Sequence, residues 1–126
     1  MAPRPEDEAL PKSRVLPAGP HTSTEARWFL MEALRDHDVA VDVGSAALLT
    51  GELASNAARH GGEPIGMSVS IEHDGLRVSV QDQGPGFDPT DEDIRGSGSG
   101  VRLIEALASD WGVEHGDEGT EVWFKI

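Results

Sequence analysis

The sequence contains no cysteine, and that absence excludes disulfide scaffolds, cysteine-ligated zinc and thiol catalysis together. No apolar run approaches the roughly 18 residues that a membrane helix needs. The leading stretch MAPRPEDEALPKSR lacks the apolar segment of a secretory signal, so a cytoplasmic protein without a membrane partner is the expectation. Basic charge is scarce: 10 Lys and Arg stand against 23 Asp and Glu, for a net charge of −13. A phosphate backbone would be repelled, which argues against direct nucleic-acid binding, and anionic lipid surfaces are disfavoured for the same reason. The only lysines are Lys12 and Lys125, so the GxxxxGK[ST] phosphate loop is missing. The GSGSG run is not a dinucleotide fingerprint either, because no strand immediately precedes it. Ser97 and Ser99 have no Ser–His–Asp context. His37, His73 and His115 lie at no metal-ligand spacing and read as surface or packing residues.

A chain of 126 residues, 37% hydrophobic and with three Trp, suits one domain with a single core. Residues 1–12, rich in Pro and charge, read as a disordered lead, and residues 13–126 as the domain. A short strand is expected over Ser13–Ala18. A helix follows, capped by Thr22 or Ser23, with Trp28, Leu30, Met31 and Leu34 as its apolar stripe. Phe29 is expected to be exposed there and to offer a surface for a second copy. The next helix runs from about Asp42 to Arg59, with Leu48, Leu49, Leu53 and Ala57 inward, and stops at Gly61–Gly62. Two alternating strands come next, joined at Asp74–Gly75: Ile65, Met67, Val69 and Ile71 share one face, and Leu76, Val78 and Val80 another. Residues 82–100 form a glycine-rich loop of a length that is usually functional. A helix over Val101–Ser109 and strands Trp111–His115 and Thr120–Ile126 close the chain. This order predicts an α+β fold: a two-layer sandwich whose mixed, mostly antiparallel sheet is covered on one face by three helices.

Three features bear on chemistry. Glu52, Asn56 and His60 project to one side of the second helix, since each lies four residues from the next. An amide oxygen there can ligate Mg²⁺ and a carboxylate can orient or deprotonate an attacking group. Spacing alone fits an ordinary solvated helix face better. Asp82 carries the same parity as Leu76, Val78 and Val80, which aims a carboxylate inward. An inward carboxylate needs a donor, and a nucleobase amino group would serve; a turn-forming Asp before QGPG is the competing explanation. Thr120 shares a face with Val122, Phe124 and Ile126, so both polar groups are expected at one pocket, unless Thr120 simply starts its strand. DQGPG allows close backbone approach, and GSGSG leads into a helix whose N–H groups can hold phosphate.

In combination these segments resemble a known family. ELASNAARHG (Glu52–Gly61), DQGPGFDP (Asp82–Pro89), GSGSGVRLIEALASDWGVE (Gly96–Glu114) and GTEVWF (Gly119–Phe124) are similar, in order and spacing, to the boxes of the GHKL ATPase superfamily. The likeness is greatest to its small anti-sigma-factor serine/threonine kinase-like branch, common in actinobacteria, and it covers about residues 13–126. The resemblance implies ATP and Mg²⁺ as cofactors. It makes Glu52 the general base, Asn56 the Mg²⁺ ligand and Asp82 the adenine-binding carboxylate. It places Gly84 and Gly86 beside the base, Gly98 and Gly100 at the phosphates, and Thr120 in the adenine water network. Arg59 and His60 follow Asn56 as in that branch, and Val101 and Arg102, just past the lid, are candidate phosphate neighbours. The implied function is an anti-sigma factor that binds a sigma factor and phosphorylates a serine of an antagonist protein, with a homodimer as the expected assembly. The alternative is a non-catalytic ATP-dependent protein-binding regulator. A net charge of −13 then requires a metal ion and aimed backbone N–H groups at the phosphates.

Overall fold

The computed structural model describes residues 11–35, 37–72, 75–84, 100–117 and 119–126. Its elements are β1 (Lys12–Leu16), α1 (Thr22–Leu34), α2 (Val43–His60), β2 (Ile65–Glu72), β3 (Gly75–Asp82), α3 (Gly100–Leu107), β4 (Asp110–Gly116) and β5 (Gly119–Lys125). The five strands form one sheet in the order β1-β2-β3-β5-β4. All four ladders among the described strands are antiparallel, so the expected mixed sheet has no parallel pair. Lys12 already belongs to β1, one residue before the expected domain boundary.

Strand alternation sorts the side chains into rows across the sheet. Trp111, Phe124, Val78 and Val69 form one row, and Val113, Val122, Val80 and Met67 the next. Most of these are buried in the core beneath the helices, as alternating patterning dictates. The following row on the same face is polar: His115, Thr120 and Asp82. Thus the face that builds the core becomes hydrophilic at one end.

Helix α2 lies centrally, touching β3, α1 and α3. Its N-cap is Asp42, whose Oδ1 accepts from the Gly44 and Ser45 N–H groups at 3.0 and 3.4 Å. Those bonds, with the Ser45 hydroxyl first among them, hold the Asp42 carboxyl below its usual range. Ala46, Leu49, Leu53, Ala54 and Ala57 face the core. The Arg27 side chain from α1 lies across α2 at Gly51, where a Cβ would stand 2.7 Å from its Nη1.

Several expectations need correction. The buried stripe of α1 is Ala26, Phe29, Leu30, Ala33 and Leu34, while Trp28 and Met31 face outward at 68% and 50% exposure. Phe29 is buried, with the Arg14 guanidinium 4.7 Å above its ring. Leu48 also points out. A stripe read at helical spacing is ambiguous by one position, and the sheet chooses the face. His21, not Thr22 or Ser23, is the N-cap of α1 and gives no side-chain cap. The Thr22 hydroxyl instead donates to the Pro17 and Gly19 carbonyls at 2.5 and 2.9 Å, tying the helix to the preceding loop. No helix among the described residues is long and apolar enough to cross a membrane.

Candidate functional site

The polar row meets the C-terminal end of α2. Gly61 caps that helix, as the stop at Gly61–Gly62 implied, with φ −102° and ψ −177°, an extended conformation. Its glycine requirement comes from a neighbour: a Cβ there would lie 2.6 Å from both Asp82 carboxylate oxygens. The chain leaving β3 pairs with this segment, the Gln83 N–H donating to the Gly62 carbonyl at 2.9 Å. Gly84 packs backbone to backbone on it, since a Cβ on Gly84 would sit 2.6 Å from the Gly62 nitrogen. Two glycine segments, distant in sequence, therefore close over one carboxylate.

Asp82 is 4% exposed and Thr120 3%. The Asp82 Oδ1 accepts from the Gly84 N–H at 2.9 Å. Burial pushes this carboxyl above its usual range, against the Gly84 and Gly62 N–H groups and the His115 charge, which pull it down. The Thr120 hydroxyl donates to the Gly84 carbonyl at 3.4 Å and lies 3.2 Å from His115 Nδ1. Asp82, Thr120 and His115 line a cavity of about 340 Å³ at the strand ends, whose wall also includes Gln81, Glu114 and Glu121 from the row that faces the other side of the sheet. That volume is at the small end of the range for small-molecule sites. Gly119 is held at φ +116°, and a side chain there would run into the Asp82 carbonyl oxygen.

One turn back along α2, Asn56 is buried at 5% exposure. Its Oδ1 accepts from Arg59 Nη2 at 2.7 Å, so this oxygen already faces a cation. Glu52 is half-buried a turn further on. Among the described residues no three His, Cys, Asp or Glu side chains converge on a metal position. The donor that is present, the Asn56 amide oxygen, suits a hard cation that takes its remaining ligands from phosphate and water, the habit of Mg²⁺.

The structure brings Asp82, Gly84 and Thr120 together, with Asn56, Arg59 and Glu52 along the adjoining helix. Gly100 opens α3, which packs on α2, and Arg102 is exposed on α3. His60 and Val101 lie in α2 and α3, but their side chains are outside the described part. Gly86 and Gly98 lie outside the described residues. Sequence reasoning missed His115, set aside as a surface residue, and Gly61, taken as a helix stop. Strand parity signals the first, because His115 continues the Trp111–Val113 alternation.

A family model, the histidine kinase-like ATPase domain, matches residues 16–126. Among solved structures, the RsbU and RsbW domains of Rv1364c from Mycobacterium tuberculosis superpose with a TM-score of 0.67 at 23% identity, over 91% of this chain and 31% of that one. The blue-light activated histidine kinase EL346 from Erythrobacter litoralis gives 0.54 at 28% identity, over 68% and 31% respectively. The histidine kinase domain of that protein gives 0.55 at 22% identity, over 80% and 60%. The chain thus spans less than two thirds of each of these structures. No curated protein sequence matches it significantly.

Proposed function

Because this chain belongs to the histidine kinase-like ATPase domain family, we propose that it is an ATP- and Mg²⁺-binding regulator that acts as an anti-sigma factor and protein serine/threonine kinase. Its partners in this reading are a sigma factor, an antagonist protein that carries the target hydroxyl, and a second copy of the chain. The observation that carries the nucleotide assignment is the buried Asp82 carboxylate in one row with Thr120, at the end of the helix that bears Asn56 and Glu52. The similarity of the sequence boxes to the anti-sigma kinase branch, and the fold shared with an RsbW domain, support the regulatory part.

The residues then take these roles. Asp82 accepts a bond from the adenine amino group, which relieves the penalty of a buried, ionised carboxylate. Glycine at positions 61, 84 and 119 keeps side chains out of the base pocket. The N-terminal end of α3, at Gly100, offers backbone N–H groups to phosphate; the resemblance would assign Gly98, Val101 and Arg102 to the phosphates as well and Gly86 to the base. Asn56 Oδ1 would hold Mg²⁺, which when bound neutralises phosphate charge. Arg59 is exposed beside Asn56, and the resemblance would assign it and His60 to the nucleotide. Glu52 accepts the hydroxyl proton as the new O–P bond forms, and the bond to the bridging oxygen breaks to release ADP.

Transfer of labelled γ-phosphate from ATP to candidate antagonist proteins tests the reading. Asn56→Ala is expected to abolish Mg²⁺-dependent ATP binding, whereas Glu52→Ala retains binding and loses transfer. Equal transfer by wild type and Glu52→Ala would remove Glu52 from the mechanism. Binding of ATP and partner with no transfer at long times would establish the non-catalytic regulator instead.

A further inference from the structure

The sheet ends in β1 on one side and β4 on the other, and the two edges are built differently. β4 carries Asp110 and Glu114 on the face away from the helices, with Gly112 between them. Charge and glycine of this kind keep a strand edge from pairing. The β1 edge is bracketed instead by the two most exposed large apolar side chains among the described residues, Val15 at 69% and Trp28 at 68%. The Arg14 guanidinium lies 4.7 Å from the centre of the Phe29 ring and 3.3 Å from the Glu32 carboxylate, so Arg14 points to the helical layer. Trp28 precedes Phe29 and stands one turn before Glu32, on the same rim. Val15 follows Arg14 and so points to the opposite face of the sheet, where it lines two cavities of about 270 and 500 Å³. Among the described residues, no backbone group outside β2 bonds to β1.

We infer that the outer edge of β1 pairs antiparallel with β1 of a second copy, about a two-fold axis at Arg14, and that Trp28 and Val15 are covered on the two faces of the seam. This rests on the proposal that a second copy is a partner; the nucleotide site does not enter it. A strand paired with itself closes after two copies and joins the two sheets into one. Arg14 is the middle residue of β1, so on the axis it stands opposite its own copy, a like-charge pair that would oppose the ladder. Glu32 removes the obstacle. It brings one carboxylate per copy to the same rim, so two guanidinium and two carboxylate groups alternate across the axis. On the other face Val15 comes diagonally across from its own copy, within side-chain reach. Pairing of β1 with β4 of another copy would set Val15 among the Asp110 and Glu114 carboxylates and would grow head to tail. The apolar bracket therefore favours the two-fold.

Sedimentation equilibrium of the full chain, from about 1 μM to about 1 mM, tests the inference. The mass is expected to rise from 13.4 kDa to twice that value and to stop there. Val15→Asp and Trp28→Asp are each expected to raise the dissociation constant at least about tenfold, because a charge replaces a covered apolar group. Glu32→Lys does the same, since only cations then remain at the axis. Leu48→Asp, at an exposed apolar position on α2, leaves the dimer intact. In wild type, amide hydrogen exchange slows in β1 but not in β4 as concentration rises. Val15, Trp28 and Glu32 are exposed, so the variants are expected to melt close to wild type, and the exchange measurement needs no substitution. A dimer indifferent to Val15→Asp and Trp28→Asp, one lost with Leu48→Asp, protection in β4, or growth beyond two copies overturns the inference and leaves self-association standing. A monomer at every concentration overturns both. Calorimetric titration of the same chain with ATP decides the nucleotide reading separately.

Discussion

Gly61 and Asp82 exclude one another's side chains: any Cβ on Gly61 would stand 2.6 Å from both Asp82 carboxylate oxygens. The backbone at Gly61 is extended, with φ −102°, a conformation open to every residue. Alanine there meets Asp82 and no backbone penalty. Gly61→Ala is therefore expected to cost about 1–3 kcal/mol by overpacking, read by chemical denaturation, and to displace the carboxylate. ATP affinity should fall with it. Unchanged affinity would show that Asp82 does not hold the base.

Gly119 adds a second obstacle, a left-handed backbone. Its φ of +116° and its contact with the Asp82 carbonyl both oppose a side chain. Gly119→Ala should destabilise the chain more than Gly61→Ala does, because strain of about 1–3 kcal/mol is added to the collision. Comparison of the two denaturation midpoints checks this order.

The buried Asp82 predicts a pH dependence with a definite sign. Burial raises its pKa in the folded chain above the ordinary value of 3.8, so the folded state holds this proton more tightly than the unfolded state. The stability that goes with the proton is complete below the unfolded value. It is lost as pH rises through the folded value. Asp82→Asn removes the ionisation and is expected to raise the melting temperature at neutral pH, with the gain shrinking as the solution is acidified. The same variant should lose adenine binding, because an amide N–H would face the amino group. A melting temperature below wild type at neutral pH would contradict the sign.

The bond between Arg59 Nη2 and Asn56 Oδ1, 2.7 Å long, should appear as an energetic coupling. A double-mutant cycle of Arg59→Ala and Asn56→Ala, followed by denaturation without nucleotide, is expected to give about 0.5–1.5 kcal/mol. Strict additivity without nucleotide would mean that the bond contributes nothing.

Much of the architecture is legible in the residue pattern. Alternation in Ile65–Val69 and Leu76–Val80 gives the strands and their inner face, and Asp42 marks the start of α2. The boundaries of β1, α1 and α3 shift by a few residues, because element ends depend on caps and on neighbouring strands rather than on periodicity. The stripe of α1 misleads for a related reason. Trp28 and Met31 are apolar at helical spacing, yet the helix turns Phe29 and Ala33 toward the sheet, and only the docking of α1 against α2 and β1 fixes that rotation. At the site, Asp82 and Thr120 can be found from parity. Gly61 cannot, because its glycine looks like a helix stop.

By itself, then, the sequence determined the pieces whose cause is local: the alternation that turns Asp82 and Thr120 inward, the helical spacing of Glu52 and Asn56, and the start of α2 at Asp42. Tertiary structure alone decided the meetings between distant segments. It set the end of α2 upon Asp82, closed Gly61–Gly62 over Gly84, and extended the Asp82–Thr120 pair to His115. The reason is physical. Which side of a strand a residue faces depends on its own backbone, but which residue stands opposite depends on ladder register and helix docking, and these are fixed only when the whole core packs.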